Sequence, residues 1–237
     1  MYEKIIVNSP AYKIFFLEAG INHFGKLDEA NKIISFFIKS KFQNLTFMIH
    51  TQKFYNDQKK KGIDFQLHKN FYEKIINKIH SKKKKIGLAI CDDKTFEDLK
   101  HLKFDFYKLL GAGIKNLKLI RMLNLTKKPV YISTSFSASK KNIKKCISLF
   151  NNQSRLTLLH SPMTYSPREV NLSNIITMKR EYHLKVGYSN HYNDANGIFL
   201  SSAYKPDAIF LYCKPKKKKE EYIPMTDMHF ILMSCTK

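Results

Sequence analysis

One pattern recurs along this chain: a short apolar or β-branched run ends in polar residues, and an amphipathic stretch follows. The runs are KIFFLEAG (13–20), LTFMIHTQ (45–52), KIGLAICD (85–92), FDFYKLLG (104–111), PVYISTS (129–135), RLTLLHSP (155–162), KVGYSNH (185–191) and AIFLYCK (208–214). Apolar runs that alternate with helical segments are typical of parallel strands, because each pair of parallel strands needs a crossover connection. The pattern therefore predicts eight strands alternating with helices.

The segments between the runs have helical periodicity. In 27–41 the apolar residues that share one face are Ala30, Ile34, Phe37 and Ile38. In 139–150 the spacing i, i+3, i+4, i+7 is kept by Ile143, Cys146, Ile147 and Phe150. A third segment, 70–82, begins with Asn70 and Glu73 at the spacing of a capping box, which predicts a helix start there.

Eight βα units close naturally into a (β/α)8 TIM barrel, and a length of 237 residues suits one such domain. A doubly wound open sheet is the alternative, but it usually has fewer strands, and no GxGxxG follows the first run. We therefore expect a single α/β domain over 1–237, with an N-terminal lead over 1–12 and an irregular basic tail over 215–237.

The predicted tail leaves little chain for an eighth helix. Only Met228 to Cys235 are available, and they carry no clear period. We expect the eighth helix to be truncated or missing: either the chain is cut short, or a partner chain or a second copy in a homodimer covers the gap.

The formal net charge of +23 suggests an anionic partner, such as nucleic acid, a membrane surface or a phosphorylated small molecule. The alternative is a lysine-rich composition set by genome bias, because lysines occur in nearly every segment. The lysine runs at 82–85 and 216–219 lack interleaved aromatic residues, which favours a solvated surface over a nucleic-acid site.

The cysteines indicate a reducing compartment. Cys91, Cys146, Cys213 and Cys235 form no CxxC pair, which argues against a disulfide framework or a zinc ribbon. The N-terminus lacks the apolar core of a signal peptide, and no apolar run approaches the roughly 20 residues of a membrane helix. We expect a soluble cytoplasmic protein with no membrane partner.

Polar residues end nearly every predicted strand. They are Glu18, His50, Asp92, Lys108, Ser133, His160, His191 and Cys213. In a barrel the carboxyl ends of the strands converge on one face, so this arrangement predicts a binding site there. The alternative is that polar residues mark strand ends in any fold.

Five segments resemble signatures of the sialic acid (N-acetylneuraminate) synthase family, in the family's order and at its approximate spacing. They are FFLEAGINHFGKLDEANKII (15–34), YKLLGAGIKNLKLI (107–120), KKPVYISTSFSA (127–138), LTLLHSPMTYSPREVNL (156–172) and VGYSNHYND (186–194). The resemblance covers residues 13 to about 230. It implies a barrel that condenses phosphoenolpyruvate with an N-acylated amino sugar into a nine-carbon 2-keto acid for surface carbohydrate, supported by a divalent metal, manganese or magnesium.

The resemblance also implies roles for single residues. Those implied to be catalytic are Glu18, Lys108 and Tyr165. Those implied to bind substrate are Asn22, His23, His50, Ser133, Ser189 and Asp227. His191 matches the first metal histidine and Cys213 takes the place of the second, so the two would hold the metal. A thiolate suits zinc better than manganese, and Cys213 as a small apolar strand residue stays open as the alternative.

Other positions depart from the family pattern. Met48 stands where a phosphate-binding lysine is expected, Ile90 replaces a threonine, and Gly111 and Gly113 replace the serine and glutamate of SGE. Loss of the contacts at Met48, Ile90 and Gly111 would cost about 4–9 kcal/mol of binding free energy for an unchanged ligand. Two hypotheses follow: a working synthase, and a degenerate barrel that binds a sugar or a protein partner without the full reaction.

Overall fold

The structure is a computed structural model that describes residues 14–135, 138–164, 166, 168–191, 196–214 and 231–232. Its strands are β1 (Phe15–Gly20), β2 (Asn44–Met48), β3 (Lys85–Ile90), β4 (Phe106–Leu109), β5 (Val130–Ser133), β6 (Leu156–His160), β7 (Lys185–Asn190), β8 (Ile209–Lys214) and β9 (Ile231–Leu232). Its α-helices are α1 (Leu27–Lys39), α2 (Gln52–Lys60), α3 (Lys69–His80), α4 (Asp93–Leu99), α5 (Leu117–Leu125), α6 (Lys140–Ser148), α7 (Asn174–Tyr182) and α8 (Asn196–Ser201).

Strands β1 to β8 pair in sequence order, all parallel, and β8 pairs back with β1 to close the sheet. The closing register joins Phe16 to Phe210 and Glu18 to Tyr212. This confirms the predicted (β/α)8 barrel, and each of the eight apolar runs contains one strand. The open-sheet alternative is excluded by the β1–β8 pairing.

The helices follow the predicted periodicity with two differences. In α1 the fully buried residues are Ala30, Ile33, Ile34 and Phe37, while Ile38 is only partly buried. In α3 the capping-box prediction is wrong. His68 is the N-cap, its ring nitrogen accepts from the Asn70 amide at 3.3 Å, and the helix begins at Lys69.

The interior of the barrel is filled by an aromatic layer. It consists of Phe16, Phe106, Tyr131, Leu159, Ala208 and Phe210. The rings of Phe16 and Phe210 stack with their centroids 4.2 Å apart. Because side chains alternate along a strand, the residues two positions further along these strands form the next layer toward the mouth. A separate and larger cluster packs the helices against the outside of the barrel.

Several predictions about the ends of the chain fall outside the described residues. These are the N-terminal lead over 1–12, the truncated or missing eighth helix, and most of the tail. Within the tail, Ile231 and Leu232 form β9, which pairs parallel with Cys213 and Lys214. That part of the tail is therefore strand and not irregular, because two apolar residues extend the sheet at the end of β8. None of the helices in the described part of the chain is long and apolar enough to cross a membrane.

Candidate functional site

A cavity of about 380 Å³ opens at the carboxyl ends of the strands. The polar residues that line it are Asn22, His50, Lys108, Ser133, Ser135, Ser161 and His191. The apolar and aromatic part of the wall includes Ile21, Met48, Leu110, Met163 and Tyr212. The cavity therefore lies where the strand-end residues predicted a binding site.

A buried ion pair forms the floor of this cavity. The ammonium group of Lys108 donates to both carboxylate oxygens of Glu18 at 2.6 Å and to the hydroxyl of Ser189 at 3.1 Å. Both charged side chains are at most 2% exposed. Burial lowers the pKa of Lys108, and the attraction of Glu18 opposes that shift. The pair keeps two charges inside the barrel because each is the other's principal partner.

The pairing of β4 with β3 and β5, and the absence of a side chain at Gly87, position Lys108. Its partners across the sheet are Ala89 on β3 and Tyr131 on β5. The Phe106 ring occupies the space beside Gly87, where an added Cβ would lie 2.2 Å from a ring carbon. The Lys108 nitrogen lies 4.6 Å from the centroid of Phe210 in the aromatic layer below. The ammonium group thus rests on aromatic rings on one side and faces Glu18 on the other.

His191 lies at the end of β7, and its ring centroid is 5.6 Å from that of Tyr212. It is buried, and its Nδ1 is among the buried atoms that lack a hydrogen-bond partner within the described structure. Burial, assisted by the nearby charge of Lys108, lowers the pKa of His191 to about 3. The imidazole is therefore neutral near pH 7.

His50 follows β2 and stacks on Phe54 with centroids 4.0 Å apart. Burial lowers the pKa of His50 to about 4, although the charge of Asp92 opposes the shift. It lines the central cavity and also a second, larger groove beside α2 and α3. His50 thus offers the cavity a neutral ring and no positive charge near pH 7.

Three of the strand-end residues serve the scaffold. The Asp92 carboxylate accepts from the Thr95 amide at 2.9 Å and caps α4. The Nε2 of His160 lies 2.7 Å from the Val170 carbonyl oxygen, so it donates there, and its Nδ1 then accepts from Asn174. Cys213 packs in the outer core. The strand-end pattern therefore marked the right face, but it did not separate cavity residues from packing residues.

Of the two residues Asn22 and His23 that follow β1, one lines the cavity and the other does not. Asn22 lines the cavity, and its amide donates to the backbone oxygen of Cys213 at 2.9 Å. His23 lies in the loop, where its Nδ1 accepts from the amide of Gly25 at 3.0 Å, and burial lowers its pKa to about 4. His23 is not among the residues that line the cavity, so its implied role in substrate binding has no support from its position.

The implied metal ligands do not come together. His191 lines the cavity, whereas Cys213 faces the outer core and its thiol donates to the backbone oxygen of Glu18 at 3.5 Å. Burial raises the pKa of Cys213 to about 12, which keeps the thiol protonated and unsuited to binding metal. Across the described residues, no three His, Cys, Asp or Glu side chains are grouped as metal ligands. These residues do not fit the divalent metal that the resemblance implies.

The departures from the family pattern have structural counterparts. Met48 and Gly111 line the cavity, so apolar surface and open space replace two expected polar contacts. A Cβ at Gly113 would lie 2.8 Å from Cys91 Cα, which leaves no room for a side chain there. Ile90 is fully buried in the outer core.

Sequence reasoning missed three hydroxyl-bearing cavity residues, Ser135, Ser161 and Tyr212. Alternation along the strands could have found them, because each lies two positions beyond an inward-facing residue of its own strand. Conversely, Tyr165 and Asp227, which the resemblance implies as catalytic and substrate-binding, lie outside the described residues. Asn116, in the segment that resembles the family signature at 107–120, serves the scaffold: its side chain accepts from the Leu119 amide at 3.0 Å and caps α5.

Comparisons with known proteins agree with this architecture. The chain is 28% identical over 202 residues to the uncharacterized protein MJ1065 of Methanocaldococcus jannaschii and 26% identical over 222 residues to N,N'-diacetyllegionaminic acid synthase of Campylobacter jejuni. These matches cover 81% and 80% of the chain, but only 59% and 63% of the two relatives. The chain thus spans about three fifths of the length of these curated relatives.

Solved structures show the same fold. The N-acetylneuraminic acid synthetase of Leptospira borgpetersenii, crystallised with citrate, matches with a TM-score of 0.76 at 23% identity over 85% of this chain and 73% of its own. The spore coat polysaccharide biosynthesis protein spsE of Bacillus subtilis matches with a TM-score of 0.76 at 18% identity over 91% of this chain and 64% of its own.

The sequence profile of the NeuB family matches residues 30–204, which is most of the chain. The matched range runs from α1 to the turn before β8 and contains Lys108, Ser133, Ser189 and His191. This chain belongs to the NeuB family.

Proposed function

We propose that this chain acts in carbohydrate biosynthesis as a sialic-acid-synthase-like barrel that binds an N-acylated amino sugar and does not itself condense it with phosphoenolpyruvate. One observation carries the proposal. Lys108 is the only lysine that lines the cavity among the described residues, and both Glu18 oxygens already lie 2.6 Å from its ammonium group. The positive charge that an anionic substrate would need is therefore balanced within the protein.

Phosphoenolpyruvate carries a phosphate and a carboxylate, and such groups are usually held by several charged donors. Here His50 and His191 are neutral near pH 7, since their pKa values are lowered to about 4 and about 3. Met48 lines the wall where the family lysine is expected. The described cavity is thus close to electrically neutral and disfavours a ligand with several negative charges.

The same wall suits a neutral sugar. Hydroxyls of Ser133, Ser135 and Ser161 offer donors and acceptors to sugar hydroxyls. Met48 and Met163 provide apolar surface for an acyl methyl group or a sugar face. A volume of about 380 Å³ lies within the range of small-molecule pockets.

The complete condensation is a second candidate, and one observation favours it. Four residues that the resemblance implies as catalytic or substrate-binding lie in and beneath the cavity. They are Glu18, Lys108, Ser133 and Ser189. In that case Lys108 would exchange part of its contact with Glu18 for a substrate oxygen.

Calorimetric titration of the full chain tests the two candidates. N-acetylmannosamine, a small N-acylated amino sugar, should bind, and Ser133→Ala should weaken it while Ser148→Ala on the surface of α6 should not. Phosphoenolpyruvate should not bind up to millimolar concentration, with or without manganese. Met48→Lys should gain affinity for phosphoenolpyruvate because it returns an unpaired ammonium group to the cavity.

Two results would overturn the proposal. One is micromolar phosphoenolpyruvate binding that is lost in Lys108→Ala, together with phosphate release when the sugar is added, which would establish the second candidate. The other is the absence of a heat signal when N-acetylmannosamine is titrated into the unmodified chain, at ligand concentrations at which the Met48→Lys variant gives a signal with phosphoenolpyruvate.

A further inference from the structure

Lys108 has surroundings that favour the reaction of an amine as well as ion pairing. Lys108 lies near the carboxyl end of β4 and lines the cavity, so a ligand bound there lies beside it. Among the described residues, its hydrogen-bond partners are the two oxygens of Glu18 and the Ser189 hydroxyl. A carboxylate 2.6 Å from an ammonium group is placed to take a proton from it.

Two aromatic rings also lie near the Lys108 nitrogen. The nitrogen lies 4.6 Å from the ring centroid of Phe210 and 6.0 Å from that of Tyr212. In such surroundings a neutral amine beside a neutral carboxylic acid competes with the ion pair, because transfer of one proton removes both buried charges. A buried lysine that loses its proton in this way is a nucleophile toward carbonyl carbon.

We propose that Lys108 forms a covalent iminium with the carbonyl carbon of the ligand that occupies this cavity, with Glu18 as its proton carrier. This inference rests on the proposed function only in that the ligand shares the cavity. It differs in kind from phosphoenolpyruvate condensation, since the carbonyl is activated by bond formation to nitrogen and no charge on the ligand is required.

Glu18 takes one proton from the ammonium group, and the nitrogen lone pair forms a bond to the carbonyl carbon while the C=O π electrons move to oxygen. That oxygen gains one proton from the nitrogen and one from Glu18, and it leaves as water when the C–N double bond forms. Ammonium and carbonyl thus become iminium and water, Glu18 ends as a carboxylate, and no oxidant or reductant is consumed.

Two ligand sources share this carbonyl chemistry. One is the open-chain aldehyde of an amino sugar, whose hydroxyls would contact the hydroxyls of Ser133 and Ser161. The other is a 2-keto acid, whose carboxylate those same hydroxyls would hold. Pyruvate and N-acetylmannosamine are small probes for the two sources.

Reductive trapping in the full chain tests the inference. The protein is incubated with pyruvate or with N-acetylmannosamine, reduced with cyanoborohydride, digested, and mapped by mass spectrometry. We expect the adduct on the peptide that contains Lys108. An adduct with only one probe assigns the ligand source, and adducts with both assign the carbonyl chemistry alone.

Two lysines serve as internal references. Lys84 is also buried, but three backbone oxygens hold its ammonium group and it does not line the cavity, so it should remain unmodified. Lys118 is exposed, so it measures the background of non-specific reductive amination. Labelling of Lys108 above both references supports the iminium, and labelling no higher than that of Lys118 overturns it.

Lys108→Arg is the matched variant, because arginine keeps the charge beside Glu18 and lacks the nucleophilic amine. It should lose the adduct at position 108, while the labelling of Lys84 and Lys118 stays as in the unmodified sequence. If this variant does not fold, the ratio of Lys108 to Lys84 labelling in the unmodified sequence decides the question. Sugar binding without an adduct overturns the iminium and leaves the proposed function intact. An adduct at Lys108 with pyruvate in a chain that does not bind the sugar overturns the proposed function and supports the iminium.

Discussion

Two buried lysines at opposite ends of the barrel illustrate how the same residue serves two purposes. Lys84 immediately precedes β3, and its ammonium group donates to the backbone oxygens of Phe37, Ser40 and Phe42 at 2.7, 2.6 and 2.8 Å. Lys108 is near the carboxyl end of β4, where its principal partner is the carboxylate of Glu18. Each nitrogen also lies over one phenylalanine ring, at 4.7 and 4.6 Å from the centroid.

The two lysines differ in whether their hydrogen-bond partners can accept a proton. Backbone carbonyls have no acid form through which they could take a proton from Lys84, so these contacts serve to fix the chain at the end of α1. Glu18 can accept a proton, and a cavity adjoins its partner. This division agrees with the general arrangement of barrels, in which the amino ends of the strands serve stability and the carboxyl ends serve chemistry.

The largest effect should come from Glu18→Ala. It leaves Lys108 buried without a counter-ion, where its charged form is unfavourable, and this costs about 3–5 kcal/mol of unfolding free energy. Since the folded state would then hold a neutral amine and the unfolded state an ammonium, stability of the variant should rise with pH above neutrality. Urea unfolding at neutral and alkaline pH measures both effects.

A double substitution distinguishes the stability contributed by the Glu18–Lys108 ion pair from the cost of leaving one of its charges unpaired. Glu18→Gln with Lys108→Met removes both charges, so it should regain much of the stability lost by Glu18→Ala. Loss of the exposed pair in Glu29→Gln should leave the unfolding midpoint unchanged, because surface ion pairs are well solvated. A double variant less stable than Glu18→Ala would show that the ion pair itself contributes most of the stability of the barrel floor.

Lys84→Met should cost roughly 3 kcal/mol, because three carbonyl oxygens at the end of α1 lose a charged donor. The comparison predicts that this loss affects stability alone. Sugar binding measured by calorimetry should be unchanged at a temperature where the variant remains folded. Weaker binding in Lys84→Met would break the division between a structural end and a chemical end.

The barrel was predictable because eight repeats of one pattern leave few topologies. Each apolar run contains a strand, since burial on both faces of a parallel sheet demands continuous apolar sequence. The start of α3 was not predictable in the same way. His68 and Asn70 can both cap a helix, and only the extended backbone at His68 decides between them.

The site was predictable as a location but less so as a set of residues. Glu18 and Lys108 are 90 residues apart in the sequence, and their pairing depends on closure of the barrel between β1 and β8. Cys213 was expected beside His191, yet the neighbouring Tyr212 faces the cavity. A shift of one residue along a strand reverses the face to which a side chain points. An offset of one position at β8 therefore exchanges Tyr212, which lines the cavity, for Cys213, which packs in the outer core.

Acidification should first destabilise the carboxyl end of the barrel, where His191 lies, and only later the amino end, where Lys84 lies. The folded pKa of His191 is about 3, far below its value of 6.5 in the unfolded chain, so only the unfolded state gains a proton as pH falls through 6.5. Stability is then lost on acidification, by about 2 kcal/mol for this residue between about pH 7.5 and about pH 5. His191→Gln should remove that part of the slope in urea unfolding, and an unchanged slope would show that other groups cause the acid sensitivity.

The smallest effect concerns the two phenylalanine rings. Phe37→Leu and Phe210→Leu each remove a cation–π contact worth roughly 1 kcal/mol, so their unfolding midpoints should fall by similar amounts. Their chemical consequences should differ. The Phe210 ring favours the charged form of Lys108, so its loss should raise the rate of reductive trapping at Lys108, whereas Phe37→Leu should leave that rate unchanged. Equal trapping rates in the two variants would mean that Glu18 alone governs the protonation of Lys108, and the aromatic layer would then be packing only.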